Sequence, residues 1–181
     1  MKTYIALLRG INVIGRNPLP MTELVALLAE AGARNISTYI RSGNAVFQYA
    51  QRSTSKLSAQ LRDEIRKRHG FSPLVIILGT GTMERAIAQN PFPEAESDPR
   101  SLHLGFFAST PESPDLKKLD ALKKASERFY LSAQVFYLYT PEGVEKSKLP
   151  ANAGKSLGVP VTFRNWSTVC KIRDMAEKIR E

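Results

Sequence analysis

Apolar positions along the chain alternate between two periods, and the switches between them predict an ordered set of strands and helices. Thr3–Leu8 is a nearly continuous apolar run, as a strand covered on both faces requires. Thr22 is placed to cap a helix whose stripe is Leu24, Leu27, Leu28 and Ala31, with Gly32 as its stop. Ile36–Ile40 and Ala45–Tyr49 are rich in β-branched and aromatic residues, and Arg41-Ser42-Gly43-Asn44 between them is turn chemistry. Leu57, Leu61 and Ile65 mark a second helix ending at Gly70, and Leu74–Leu78 is a further strand. The order β-α-β-β-α-β is the plan of a ferredoxin-like unit.

A short helix over Thr82–Asn90 and a loop dense in proline and acid, reaching Pro99, then interrupt the pattern. Beyond them the order repeats. Leu102–Phe107 is a strand, and Ser113 is placed to cap a helix with Pro114 at its first position and Leu116, Leu119 and Leu122 on one face. Phe129–Leu131 and Val135–Tyr139 form a hairpin, and a helical segment broken at Pro150 and Gly154 leads to a strand at Val161–Phe163. A last helix carries Trp166, Val169, Ile172 and Ile179. The expected fold is therefore α+β, with two ferredoxin-like (α/β-plait) subdomains at 1–80 and 101–181. A linking helix and loop occupy 81–100, and an extra helix ends the chain.

Composition narrows the setting. The 181 residues are 43% hydrophobic and 24% charged, ordinary for a globular protein long enough to bury a core without staples. A single cysteine, Cys170, excludes an internal disulfide. No apolar run reaches the roughly 18 residues of a membrane span, and the start Met1-Lys2-Thr3-Tyr4-Ile5 lacks the layout of a signal peptide. A cytoplasmic location with no membrane partner is expected; oligomeric state is left open. The net charge of +9 is uneven: residues 1–90 hold 12 basic and 5 acidic side chains, residues 91–181 hold 14 and 12. A field concentrated in one half favours polyanions and phosphorylated ligands.

Catalytic signatures are scarce. Two histidines and one cysteine give no zinc spacing, and neither a Gly-x-Ser-x-Gly elbow nor a dinucleotide loop occurs, so no metal or cofactor is expected. The segment leaving the first strand, Arg9-Gly10-Ile11-Asn12-Val13-Ile14-Gly15-Arg16-Asn17, spaces its glycines like a phosphate loop but lacks the lysine and hydroxyl residue. Its glycines and arginines still suit an anion. Ferredoxin-like topology brings the end of the first strand to the turn between the second and third. Arg9, Gly10, Asn12, Gly15 and Asn17 would thus share an edge with Arg41, Ser42, Gly43 and Asn44. A second candidate set is Arg164, Asn165, Trp166, Thr168 and Lys171 at the start of the last helix, with Lys148 in a loop before it. There an anion at the helix N-terminus competes with plain capping by Asn165 or Ser167.

Several of these stretches resemble the bacterial family called domain of unknown function 1697. They are Tyr4–Val13 with Gly15, Asn17 and Met21, then Thr38–Asn44, Asn90-Pro91-Phe92-Pro93, Ser147-Lys148-Leu149, and Arg164-Asn165-Trp166 with Thr168, Val169 and Lys171. Where the family usually shows Gly-Gly, this chain has Ile14-Gly15. The resemblance implies two α/β-plait subdomains and transfers no activity. Three functions follow as expectations. The first is binding of nucleic acid or a phosphorylated small molecule by the basic half, with Phe47 and Tyr49 on the third strand either stacking bases or lying in the core. The second is an enzyme acting on a small anionic metabolite in a cleft between the halves, using Arg9, Arg164 and Lys148. The third is a protein-interaction module.

Overall fold

A computed structural model describes residues 1–180. The elements, in chain order, are β1 (Lys2–Arg9), α1 (Met21–Glu30), β2 (Arg34–Tyr39), β3 (Asn44–Tyr49), α2 (Thr54–His69), β4 (Leu74–Gly79) and α3 (Thr80–Ala88). After a 3-10 turn at Pro93–Ser97 come β5 (Leu102–Phe106), α4 (Leu116–Leu122), β6 (Arg128–Leu131) and β7 (Val135–Tyr139). A second 3-10 turn at Val144–Lys146 precedes α5 (Leu149–Leu157), β8 (Thr162–Asn165) and α6 (Trp166–Arg180). The fold is mixed α+β, with two four-stranded antiparallel sheets ordered β2-β3-β1-β4 and β6-β7-β5-β8. Two compact units result: Met1–Met83 with the chain from Lys171 onward, and Glu84–Cys170.

In the first unit, alternation along β1 and β3 sends Tyr4, Ala6, Leu8, Ala45, Phe47 and Tyr49 into one core with Leu24, Leu27 and Leu28 of α1 and Leu57, Leu61 and Ile65 of α2. Ile5, Leu7 and Val46 on the opposite sheet face are also fully buried, which explains why β1 reads as an unbroken apolar run. Gln48 Nε2 donates to the carbonyl of Ile179 at 3.1 Å. In the second unit, Phe136 and Leu138 of β7 pack with Leu119 of α4 and Leu149, Ala153 and Leu157 of α5. On the other face the Tyr137 hydroxyl donates to the Ala86 carbonyl of α3 at 2.7 Å.

Helix ends depart from the sequence reading in three places. α1 has Pro20, not Thr22, at its N-cap position, and no side chain caps it. α4 is capped by Asp115, whose Oδ1 accepts from Lys118 N at 3.0 Å, so Ser113 and Pro114 lie outside the helix. Pro150 stands in the first turn of α5 rather than breaking it, because a missing N–H costs nothing there. Gly154 stays inside α5, and Gly158, with φ +72°, ends it. Strand β2 also stops one residue early: Ile40 leaves it with φ +49°.

Candidate functional site

The loop that leaves β1 is folded by asparagines. Asn12 has φ +50°, a left-handed conformation that asparagine tolerates better than most residues. Its Nδ2 donates both to the Leu19 carbonyl at 2.9 Å and to the Arg41 carbonyl at 2.8 Å, while its Oδ1 accepts from Leu19 N at 2.8 Å. Both amide hydrogens and the amide oxygen are thereby engaged. Asn17, also left-handed, donates from Nδ2 to the Gly10 carbonyl at 2.8 Å and accepts from Asn12 N at 2.9 Å. Between them Val13 and Arg16 form a tight turn closed by Arg16 N donating to the Val13 carbonyl.

The β2–β3 turn meets this loop. Leu8 N donates to the Gly43 carbonyl at 2.8 Å, and Leu7 stands opposite Asn44 in the ladder. Asn44 is fully buried; its Nδ2 donates to the Tyr39 carbonyl at 2.9 Å and to Ser42 Oγ at 3.0 Å. Gly43 is required twice over: its φ is +88°, and a Cβ there would lie 2.7 Å from Leu8 Cβ and 2.8 Å from Ile11 Cδ1. Gly10 and Gly15 also have positive φ, but a Cβ on either would meet open space.

Nine sequence candidates thus come to one edge of the first unit: Arg9, Gly10, Asn12, Gly15, Asn17 and the Arg41–Asn44 turn. Their work is divided. Asn12, Asn17 and Asn44 hold backbone carbonyls, and the amides of Asn12, Arg16 and Leu19 donate within the loop. The edge therefore presents exposed arginine side chains on a loop that its asparagines hold in shape. Arg9 and Arg41 are exposed on it. So is Arg16, the second arginine of the loop that the sequence marks as suited to an anion.

Apolar side chains stand among these cations. Ile14, at the tip of the turn, is 98% exposed, and Val13 and Ile40 are about half exposed at 53% and 50%. Ile40 is the outlier: a β-branched residue at φ +49° costs of order 1–3 kcal/mol, and such strain persists only where surrounding structure imposes it. No sequence signal announced it, since Ile40 continues the β-branched run of β2.

The second candidate set lies at the start of α6. Asn165 caps that helix: its Oδ1 accepts from Thr168 N at 2.9 Å and from Ser167 Oγ at 3.0 Å. Trp166 and Thr168 are buried. Arg164 is buried on β8 opposite Leu104, where its guanidinium donates to the Phe163 carbonyl at 2.8 Å, and burial pushes its pKa down to about 10. Lys148 precedes α5 and is exposed, its carbonyl accepting from Asn152 Nδ2 at 2.8 Å. Lys171 is exposed on α6 and groups with the first unit.

The third-strand aromatics are not available to bases. Phe47 and Tyr49 are 0% and 5% exposed and face α1 and α2, with Tyr4 stacked on Phe47 at 6.2 Å between ring centres. Their alternation with the buried Val46 shows a strand covered on both faces. Among the described residues no cluster of His, Cys, Asp and Glu suits a metal ion, and no helix is long and apolar enough to cross a membrane.

Residues 1–137 match the model of the family described as protein of unknown function DUF1697, and the chain belongs to that family. The motifs at 147–149 and 164–171 lie beyond the matched range. No curated protein matches the chain. Among solved structures it is similar to the conserved bacterial protein SP0830 from Streptococcus pneumoniae. The two are 26% identical, the alignment covers 96% of this chain and 98% of that one, and the TM-score is 0.66.

Proposed function

We propose that this family member binds a phosphate-bearing polyanion, with nucleic acid as the fitting case, on the loop edge of its first unit. Arg9, Arg16 and Arg41 supply the charge. The observation that carries this reading is the bridge made by Asn12. One side chain ties the β1 loop to the Arg41 carbonyl, so cations from separate turns are held at one edge before any ligand arrives. Pre-formed cations lose less conformational entropy on binding than mobile ones. The excess of 12 basic over 5 acidic side chains in residues 1–90 adds a long-range field.

Recognition on this reading runs through phosphates, not bases. The buried Phe47 and Tyr49 leave no stacking platform on β3, so affinity follows charge and salt and is largely indifferent to sequence. Gly10 and Gly15 belong to the reading as hinges of the loop, and Ser42, Gly43 and Asn44 as its fixed floor. Two ferredoxin-like halves at 1–80 and 101–181 are part of the same proposal, supported by the matching strand orders of the two sheets. A cytoplasmic setting is supported by the lone cysteine.

The test is fluorescence anisotropy of labelled single-stranded RNA and duplex DNA with the whole chain at about 50 and 200 mM salt. Binding that weakens steeply with salt, and weakens again in Arg9→Ala and Arg41→Ala, supports the proposal. No binding at the lower salt sinks it.

A further inference from the structure

The second unit carries a cleft of about 430 Å³ that the polyanion reading does not use, a size typical of small-molecule sites. Asp98 and Arg100, ahead of β5, line one part of it, and His103 of β5 lines another. Glu142 and Glu145, in the segment after β7, and Asn165 at the end of β8 add further polar groups, beside the hydroxyls of Ser101 and Thr140.

Some of these groups are already committed. The Glu142 carboxylate accepts from Ser126 Oγ at 2.6 Å and from Lys124 Nζ at 3.1 Å, and the Asn165 Oδ1 caps α6. Arg100 and Glu145 differ. They are exposed and of opposite sign, and neither lies within 4.0 Å of an opposite charge among the described residues. The loop before Glu145 turns at Gly143, whose φ of +105° favours glycine; a Cβ there would meet the Glu145 carboxylate, which would have to swing aside.

The histidine adds an independent observation. His103 Nδ1 is one of four side-chain polar atoms that are buried without a hydrogen-bond partner among the described residues, and its ring lines the cleft. Such atoms are few in native proteins and ask for an explanation, a missing partner being the usual one. Burial holds the imidazole below its ordinary pKa, against an opposing pull from Glu145, so the ring is neutral at neutral pH.

Charge selects the ligand class. A phosphate would face three carboxylates and one guanidinium. A simple amine would leave Arg100 unpaired, and a simple carboxylate would leave Glu145 unpaired. A molecule carrying both charges pairs with Arg100 and Glu145 together, and its ammonium is favoured further by Asp98, whose exposed carboxylate also lines the cleft with no opposite charge within 4.0 Å among the described residues. We propose that this cleft binds a small zwitterion of the amino-acid class, with its carboxylate on Arg100 and its ammonium on Glu145, against the His103 ring.

The test is a titration of the 15N-labelled whole chain, followed by amide shifts, with L-alanine, L-leucine and L-phenylalanine. Acetate, ethylamine and inorganic phosphate serve as controls. The expected result is saturating shifts confined to 98–103 and 140–146 with at least one amino acid, and at least about tenfold weaker binding of acetate and ethylamine. Arg100→Gln and Glu145→Gln, both at exposed positions, should each weaken binding about tenfold or more. Gly143→Ala should do the same by displacing the carboxylate. The inference is overturned if none of the three amino acids gives saturating shifts by about 50 mM. It is also overturned if acetate or phosphate binds as tightly as the best of them, or if Glu145→Gln binds like the parent protein.

Discussion

Replacing Asn12 with alanine removes three hydrogen bonds at once: two from Nδ2 to the Leu19 and Arg41 carbonyls and one to Oδ1 from Leu19 N. At about 0.5–1.5 kcal/mol each the gross loss is about 1.5–4.5 kcal/mol. The residue is half-buried, so water replaces part of what is lost and the lower half of that range applies. Alanine must also hold φ +50°, worth about 1–2 kcal/mol. The expected destabilisation of Asn12→Ala is therefore about 2.5–5 kcal/mol. Asn12→Gly loses the same bonds without the left-handed penalty and should be about 1 kcal/mol milder. Urea denaturation followed by circular dichroism gives both values. Binding separates the structural from the functional part. No charge is removed, so the salt slope of polyanion binding should stay as it was, while affinity falls about three- to tenfold because the cations are no longer held together. A stability change under about 0.5 kcal/mol would refute the hydrogen-bond argument. The predicted stability loss with unchanged affinity would refute the link from loop pinning to binding.

Three further perturbations test the same physics elsewhere. Gly43→Ala, which must force Leu8 and Ile11 apart at positive φ, should cost about 2–5 kcal/mol, whereas Gly10→Ala, with open space around it, should cost only about 1–2 kcal/mol; equal values in urea melts would contradict the packing argument. Ile40→Asn should stabilise the protein by roughly 1 kcal/mol through relief of left-handed strain, and a thermal melt showing a loss of that size would mean that Ile40 makes compensating contacts. His103→Gln should flatten the pH dependence of stability. The folded-state pKa of His103 lies below its unfolded value of about 6.5, so the unfolded chain binds the extra proton and wild-type stability falls as pH drops below about 6.5. Urea midpoints that fall equally in both proteins between about pH 7 and 5 would contradict that assignment.

What the sequence shows of this fold follows from which signals are local. Every strand and helix in the α+β order was visible, because apolar period depends only on neighbours along the chain: Tyr4 to Leu8 and Leu57, Leu61, Ile65 announce their elements directly. Caps were less visible. Thr22, Ser113 and Asp115 all have the right chemistry, and only backbone geometry selects Asp115 while leaving α1 with no side-chain cap. Pro150 looked like a break because its meaning depends on whether it stands first or third in the helix. At the loop edge, glycines and arginines marked the place. The sequence could not reveal that Asn12 reaches the Arg41 carbonyl 29 positions away, since that depends on where the β2–β3 turn lies in space. The cleft at His103 could not be read as a site, because apart from Asn165 its lining comes from segments around 98–103 and 140–145 that carry no shared motif.

The central claim is that Arg9, Arg16 and Arg41 form one polyanion-binding edge, and the slope of log affinity against log salt tests it most directly. Three phosphate contacts predict a slope of about −2 for single strands and about −3 for duplex DNA, or roughly a 20- to 40-fold loss of affinity between 50 and 200 mM salt. Each single arginine-to-alanine change should make the slope shallower by about 0.7–0.9, and the triple variant should show almost no salt dependence. A slope unchanged in the triple variant would place the binding elsewhere on the protein, and a flat slope in the parent protein would remove the polyanion reading altogether.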